Sequence, residues 1–184
     1  MGKEYDAIDD RMKAWIQEQQ MYFVGTAPLA ADGHINCSPK GLDSLAVLGP
    51  NSVAYLDLTG SGAETIAHLR ENGRIVVMFC AFEGAARIVR LHGIGTPVFP
   101  GTEEYAELAK RFSDLPGIRS IIKIDVQRVS DSCGYGVPLY DFKAQRKSLV
   151  KGWQQRGTDG VATYQQKNNL KSLDGLPAVP ANAE

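Results

Sequence analysis

The sequence predicts a mainly β protein, a six-stranded antiparallel barrel with helices at its periphery. Three observations carry this reading. Short β-rich runs recur between Gly, Pro, Asn and Asp punctuation, helical spacing is confined to the chain's ends and to two connections, and only one strand pair is joined through a helix that follows a glycine loop. A parallel α/β sheet would need helices between nearly all strands.

Residues 3–20 place Ile8, Met12, Trp15 and Ile16 at helical spacing among charged neighbours, predicting an amphipathic helix laid on a core. The period then changes. Residues 21–27 (MYFVGTA) and 34–38 (HINCS) read as a hairpin turning near Asp32-Gly33. Pro39 lacks an amide hydrogen and Gly41 is permissive, so Lys40 falls at a strand end or bulge. Residues 52–57 (SVAYLD) form the third strand. A helix over 63–72 follows the loop Leu58-Thr59-Gly60-Ser61-Gly62, and Gly73 stops it.

Residues 74–82 (RIVVMFCAF) are almost continuously apolar, predicting a strand buried on both faces. After a turn at 83–86, residues 87–98 read as a long strand softened by Gly93 and Gly95. Thr102 caps a helix that carries Glu103 and Glu104 in its first turn and Tyr105, Leu108, Ala109 and Phe112 on its inner face, and that ends near 115–117. In the strand 120–129, Ile122, Ile124 and Val126 alternate with Lys123, Asp125 and Gln127. An ordered-looking loop over 132–138 is followed by helical material at 143–155 and 162–170. The expected organisation is one domain over 1–184: a core of about 3–140, a helical extension over 141–175 and a fraying tail over 176–184.

The 184 residues, 43% hydrophobic and 22% charged, suit one globular domain. With 20 basic and 21 acidic side chains the formal charge is −1, so no global field draws in nucleic acid or an acidic membrane surface. Cys37, Cys80 and Cys133 are an odd, scattered set, against both a disulfide framework and CxxC-type zinc spacing. No apolar run approaches the roughly 18 residues that span a bilayer, and the first twenty residues lack an apolar signal core. A soluble cytoplasmic protein is expected.

The sharpest chemical feature is the strand, glycine loop and helix of residues 55–70 (YLDLTGSGAETIAHLR). Free amides and the positive end of a helix dipole make an anion site, and Thr59, Ser61 and Thr65 add hydroxyls. The loop is neither a Walker loop nor GxGxxG, so a phosphate cradle and an ordinary strand-to-helix turn stand at even odds. Lys40 is either the cation such a phosphate wants or a solvated turn lysine. Arg74, Arg87 and Arg90 lie near the same region. His34, His68 and His92 have no metal-ligand spacing, so no protein-held metal is expected, and His68 reads as structural. Cys133 invites a nucleophile reading that would need a nearby cation, and no serine has a GxSxG setting.

The order of these motifs, together with GHINCSPK at 33–40 and Glu71-Asn72-Gly73-Arg74 before a buried strand, resembles the pyridoxamine 5′-phosphate oxidase family over about residues 3–130. The segment 132–140 (SCGYGVPLY) is similar to an uncharacterised branch of it. The resemblance implies a six-stranded split β-barrel of the FMN-binding type, working as a homodimer with FMN in the groove between subunits. By position, it places Asn36, Cys37, Ser38 and Lys40 where the second strand meets flavin, Asp57, Leu58 and Thr59 beside the ring, and Ser61, Gly62 and Thr65 at the phosphate. Glu64 and Thr65 stand where the family's oxidases carry an Arg-Lys pair, which leaves the phosphate to amides, hydroxyls and Lys40 or an arginine.

The implied activity is flavin-dependent oxidoreduction of a small molecule, with the cofactor supplying hydride or electron transfer and no side chain required as a general base. Tyr135 is a candidate lid or partner-subunit contact. Two other classes stay open: a non-enzymatic binder on the same fold, storing FMN or holding haem or a deazaflavin, and a cofactor-free dimer, for which Glu64 argues.

Overall fold

The computed structural model describes residues 2–181. In chain order its elements are β1 (Lys3–Tyr5), α1 (Asp10–Glu18), β2 (Tyr22–Thr26), β3 (Asn36–Lys40), β4 (Leu45–Gly49), β5 (Ser52–Leu58), α2 (Glu64–Asn72), β6 (Arg74–Cys80), β7 (Ile88–Val98), α3 (Glu103–Ala109), β8 (Ile118–Ser132) and α4 (Ser148–Asn168). Every strand pair is antiparallel, in the order β3-β2-β6-β7-β8-β5-β4, with β1 added to β8. The sheet curls until β3, at one end, faces β5 near the other. There, side chains rather than a backbone ladder span the gap, and this is the split in the barrel.

Alternation explains the core. Val24, Val53, Tyr55, Ile75, Val77, Phe79, Val89, Leu91, Ile122 and Ile124 point inward and are buried. Each such side chain contributes about 1.5–3 kcal/mol relative to exposure. Met12 and Ile16 of α1 and Ile66 and Leu69 of α2 close this core. A smaller cluster on the other face joins Ala54, Leu56 and Ile121 to Tyr105, Leu108 and Phe112 after the Thr102 cap, whose hydroxyl accepts the Tyr105 amide at 3.1 Å.

The structure corrects the sequence reading in five places. The first helix begins at Asp10, capped by Asp9 at 2.7 Å from the Met12 amide, while Lys3–Tyr5 pairs with Val129–Asp131 of β8. Leu45–Gly49 is an additional strand, so the sheet has eight strands. β6 is not buried on both faces: Ile75, Val77 and Phe79 are buried, but Val76 and Met78 are only half-buried. α3 ends at Ala109, well short of 115–117. The tail expected to fray from Leu176 instead docks, with Ala178 and Val179 buried and their amides donating to Leu170 and Asn169 carbonyls at 2.8 and 3.0 Å; residues 182–184 lie outside the described residues.

Gly73 does end α2, in the left-handed conformation at φ 73° with its amide on the Leu69 carbonyl. α4 bends at Gly157, where φ is 66°. None of the helices among the described residues is long and apolar enough to cross a membrane, and those residues hold no cluster of three His, Cys, Asp or Glu able to ligate a metal.

Candidate functional site

β3 is an edge strand, and its pleat sorts its side chains. Asn36, Ser38 and Lys40 turn toward β5 and α2, while Cys37 and Pro39 are exposed on the opposite face. The inward row is bonded in series. Ser38 Oγ donates to Asn36 Oδ1 at 2.9 Å, and Asn36 Nδ2 donates to Thr26 Oγ1 at 3.1 Å and Thr65 Oγ1 at 3.0 Å. Thr26 in turn meets His68 Nδ1 at 3.0 Å. His68 is fully buried, and burial holds its imidazole below the usual pKa.

Beside this row lies an ionic cluster. Asp57, fully buried on β5, takes Arg119 Nε at 2.6 Å and Nη2 at 3.2 Å, and Lys40 Nζ lies 3.5 Å from its Oδ1. Burial alone would raise the Asp57 carboxyl; the Arg119 guanidinium and the Lys40 ammonium outweigh it and hold the carboxyl below its ordinary value. Two cations around one carboxylate leave the cluster with an excess positive charge. Lys40 also lies 5.8 Å from the Tyr55 ring centroid. Burial raises the Tyr55 phenol well above its usual pKa, so it stays protonated.

The glycine loop is engaged from two sides. Arg119 Nη1 donates to the Gly62 carbonyl at 2.8 Å. From α4 and its end, Trp153 Nε1 donates to the Thr59 carbonyl at 3.0 Å, Gln165 Nε2 to Thr59 Oγ1 at 2.8 Å, and Asn169 Nδ2 to the Gly60 carbonyl at 3.1 Å. Glu64 folds its carboxylate back over Gly62, where a Cβ would collide with it, and accepts the Leu173 amide at 3.2 Å. The start of α2 therefore already faces an anion of its own chain.

Two cavities flank these groups. A groove of about 880 Å³ opens beside Lys40, with Met21, Leu42, Phe82, Tyr140 and Phe142 in its walls. A smaller one of about 280 Å³ lies over Thr59, Gly60 and Ser61 against Trp153, Arg156 and Tyr164 of α4. Leu149 lines both.

Of the residues expected at a site, Asn36 bonds both Ser38 and Thr65, and Lys40 meets Asp57. Cys37 faces away. Leu58 packs into the cluster around Ala54, on the far face of the sheet from β3's polar row. Thr59 and Thr65 are buried with their hydroxyls already bonded, Gly62 lies under Glu64, and exposed Ser61 faces the small cavity. Arg74, Arg87 and Arg90 are occupied elsewhere, by the Pro28 carbonyl, Asp131 and Ser132. Arg119 and the α4 donors are the residues that sequence reasoning missed. An arginine standing between Ile118 and an apolar β8 run was the available signal for the first, since a charge in such a run needs a partner.

Residues 8–133 match the family model described as pyridoxamine 5′-phosphate oxidase. Over 192 aligned residues the chain is 42% identical to the pyridoxamine 5′-phosphate oxidase family protein ustO of Aspergillus flavus, covering 95% of this chain and 77% of that one. The chain belongs to the pyridoxamine 5′-phosphate oxidase family. Among solved structures with the family's split-barrel fold, HupZ from Group A Streptococcus superposes with a TM-score of 0.52 at 23% identity, covering 66% of this chain and 91% of that one. An FAD-binding protein from Mycobacterium smegmatis superposes with a TM-score of 0.50 at 12% identity, covering 68% and 96%. At those identities the two structures speak for the fold alone.

Proposed function

We propose that the chain is a flavin-binding oxidoreductase acting on a small molecule, with the ring of FMN in the groove beside Lys40. The observation that carries this reading is the position of Lys40. Its ammonium belongs to the buried Asp57–Arg119 cluster, and the same residue lines a groove whose volume, about 880 Å³, lies in the range of cofactor sites. Aromatic and aliphatic walls suit a flat ring system, and a fixed cation suits its electron-rich edge.

The donor set fits the ring part of the cofactor. When bound, flavin supplies hydride or single-electron transfer. Asp57, held by Arg119, fixes the direction of the Lys40 ammonium. Lys40 keeps N–H donors beyond its contact with Asp57, and the excess positive charge of the cluster favours a ring that gains electron density. Tyr140 and Phe142, both exposed, are walls that a bound ring would cover. The start of α2 does not fit a phosphate as it stands, because Glu64 and the α4 donors already occupy it.

The reading extends to a homodimer, supported by a run of exposed apolar side chains after β8: Tyr135, Leu139, Tyr140 and Phe142. The test is an absorption titration with FMN on the parent protein and on Lys40→Ala, followed by turnover assays with a nicotinamide donor. Saturable binding weakened about tenfold or more by the substitution, roughly the loss of one charged hydrogen bond, supports the site. No saturable binding at high micromolar FMN, or binding indifferent to Lys40, defeats it.

A further inference from the structure

We propose that the small cavity between the glycine loop and α4 is a phosphate-ester site, with Arg156 as its cation. The proposal rests on the flavin reading for which ester arrives, the 5′-phosphate of FMN, but the site itself stands on separate geometry. The exposed Arg156 lies over two rings: its guanidinium carbon is 5.1 Å from the Trp153 centroid and 5.7 Å from that of Tyr164. The rings are themselves packed edge-on at 5.1 Å, and Trp153 is fixed by its bond to the Thr59 carbonyl.

A guanidinium lying over aromatic rings keeps N–H donors able to take phosphate oxygens two at a time. No carboxylate pairs with Arg156 among the described residues. Gly60 and Ser61 line the same cavity of about 280 Å³ as Arg156. This is the side of the loop that Glu64 does not cover. An anion repelled from the start of α2 by the Glu64 carboxylate is accepted here instead.

Leu149 is the wall shared by this cavity and the large groove. A ring lodged beside Lys40 and a phosphate lodged beside Arg156 are therefore neighbours across one side chain, joined by a linker passing over Leu149. The missing basic pair at α2 is replaced, in this account, by one arginine from the C-terminal extension.

The test uses the full chain carrying Trp15→Phe, so that Trp153 is the only indole. Trp153 emission is followed during titration with inorganic phosphate, and FMN and riboflavin affinities are measured by absorption, in this background and with Arg156→Ala or Arg156→Lys. The expected result is a saturable phosphate-dependent change in emission, and a preference for FMN over riboflavin of roughly 10- to 100-fold. Both are lost in Arg156→Ala and partly kept in Arg156→Lys. Phosphate response without binding of either flavin keeps the anion site and removes the flavin reading. An FMN preference that Arg156→Ala leaves unchanged overturns the proposal while the flavin reading survives. The absence of both signals overturns the proposal outright.

Discussion

Asp57 and Arg119 form a side-chain ion pair at 2.6 Å inside the barrel, their side chains 0% and 4% exposed, and the same guanidinium carries the Gly62 carbonyl at 2.8 Å. A pair so deeply buried is not valuable because charges attract. Its significance is that neither member tolerates the loss of the other.

Arg119→Met should therefore lower stability by about 3–5 kcal/mol, because a buried carboxylate is left with Lys40 alone. The double variant Arg119→Met/Asp57→Leu should be milder than the single one. Urea unfolding midpoints of the three proteins decide this; a single variant no worse than the double contradicts the arrangement.

Two groups should shape the acid limb of stability, in different pH windows. The folded pKa of His68 lies below its usual 6.5, so its contribution is complete above pH 6.5 and is lost as pH falls toward the lowered folded value. Asp57 lies below 3.8 when folded, so its contribution is complete above that pH and is lost as pH falls through the folded value. Burial and the neighbouring Arg128 and Arg90 also hold His92 below 6.5, so thermal midpoints of His68→Gln against pH should shrink the first decline without abolishing it and keep the second.

Gly73→Ala should cost about 1–2 kcal/mol, since the residue sits at φ 73° and a Cβ would meet Ile94 Cγ2 at 2.9 Å. Gly136→Ala, where no atom lies within 4 Å of the added carbon, is the matched control and should change little. Equal unfolding midpoints for the two variants would contradict the capping geometry.

The apolar run after β8 should be covered in solution. Sedimentation equilibrium is expected to give twice the 20.0 kDa chain mass, and Leu139→Asp, at a side chain 74% exposed here, should shift the protein toward monomer without altering its far-UV spectrum. A parent that sediments as a monomer sinks the homodimer.

Much of this fold was legible because period and punctuation agree. Gly73 as the stop of α2, Thr102 as a cap and the alternation around Ile122 and Ile124 all follow from local rules. β1 and β4 were not legible, since three residues beside a helix and a five-residue run without strong alternation acquire strand character only from β8 and β5. Within the site, the resemblance grouped Asn36, Ser38 and Lys40 on one strand, but the reach of Asn36 to Thr65 across the split was not legible. The engagement of Thr59 by Trp153 and Gln165 was no more legible, because nothing local in either segment encodes a pairing across the length of the domain.

That last contact has a temporal meaning. Trp153 lies 94 residues, and Gln165 106 residues, beyond the threonine they hold. A chain emerging from the ribosome can lay down its barrel strands while the glycine loop still lacks its α4 donors, because those donors are synthesised after β8. The loop is completed only once α4 has followed, so a nascent chain ending before α4 would carry a finished barrel and an unfinished site.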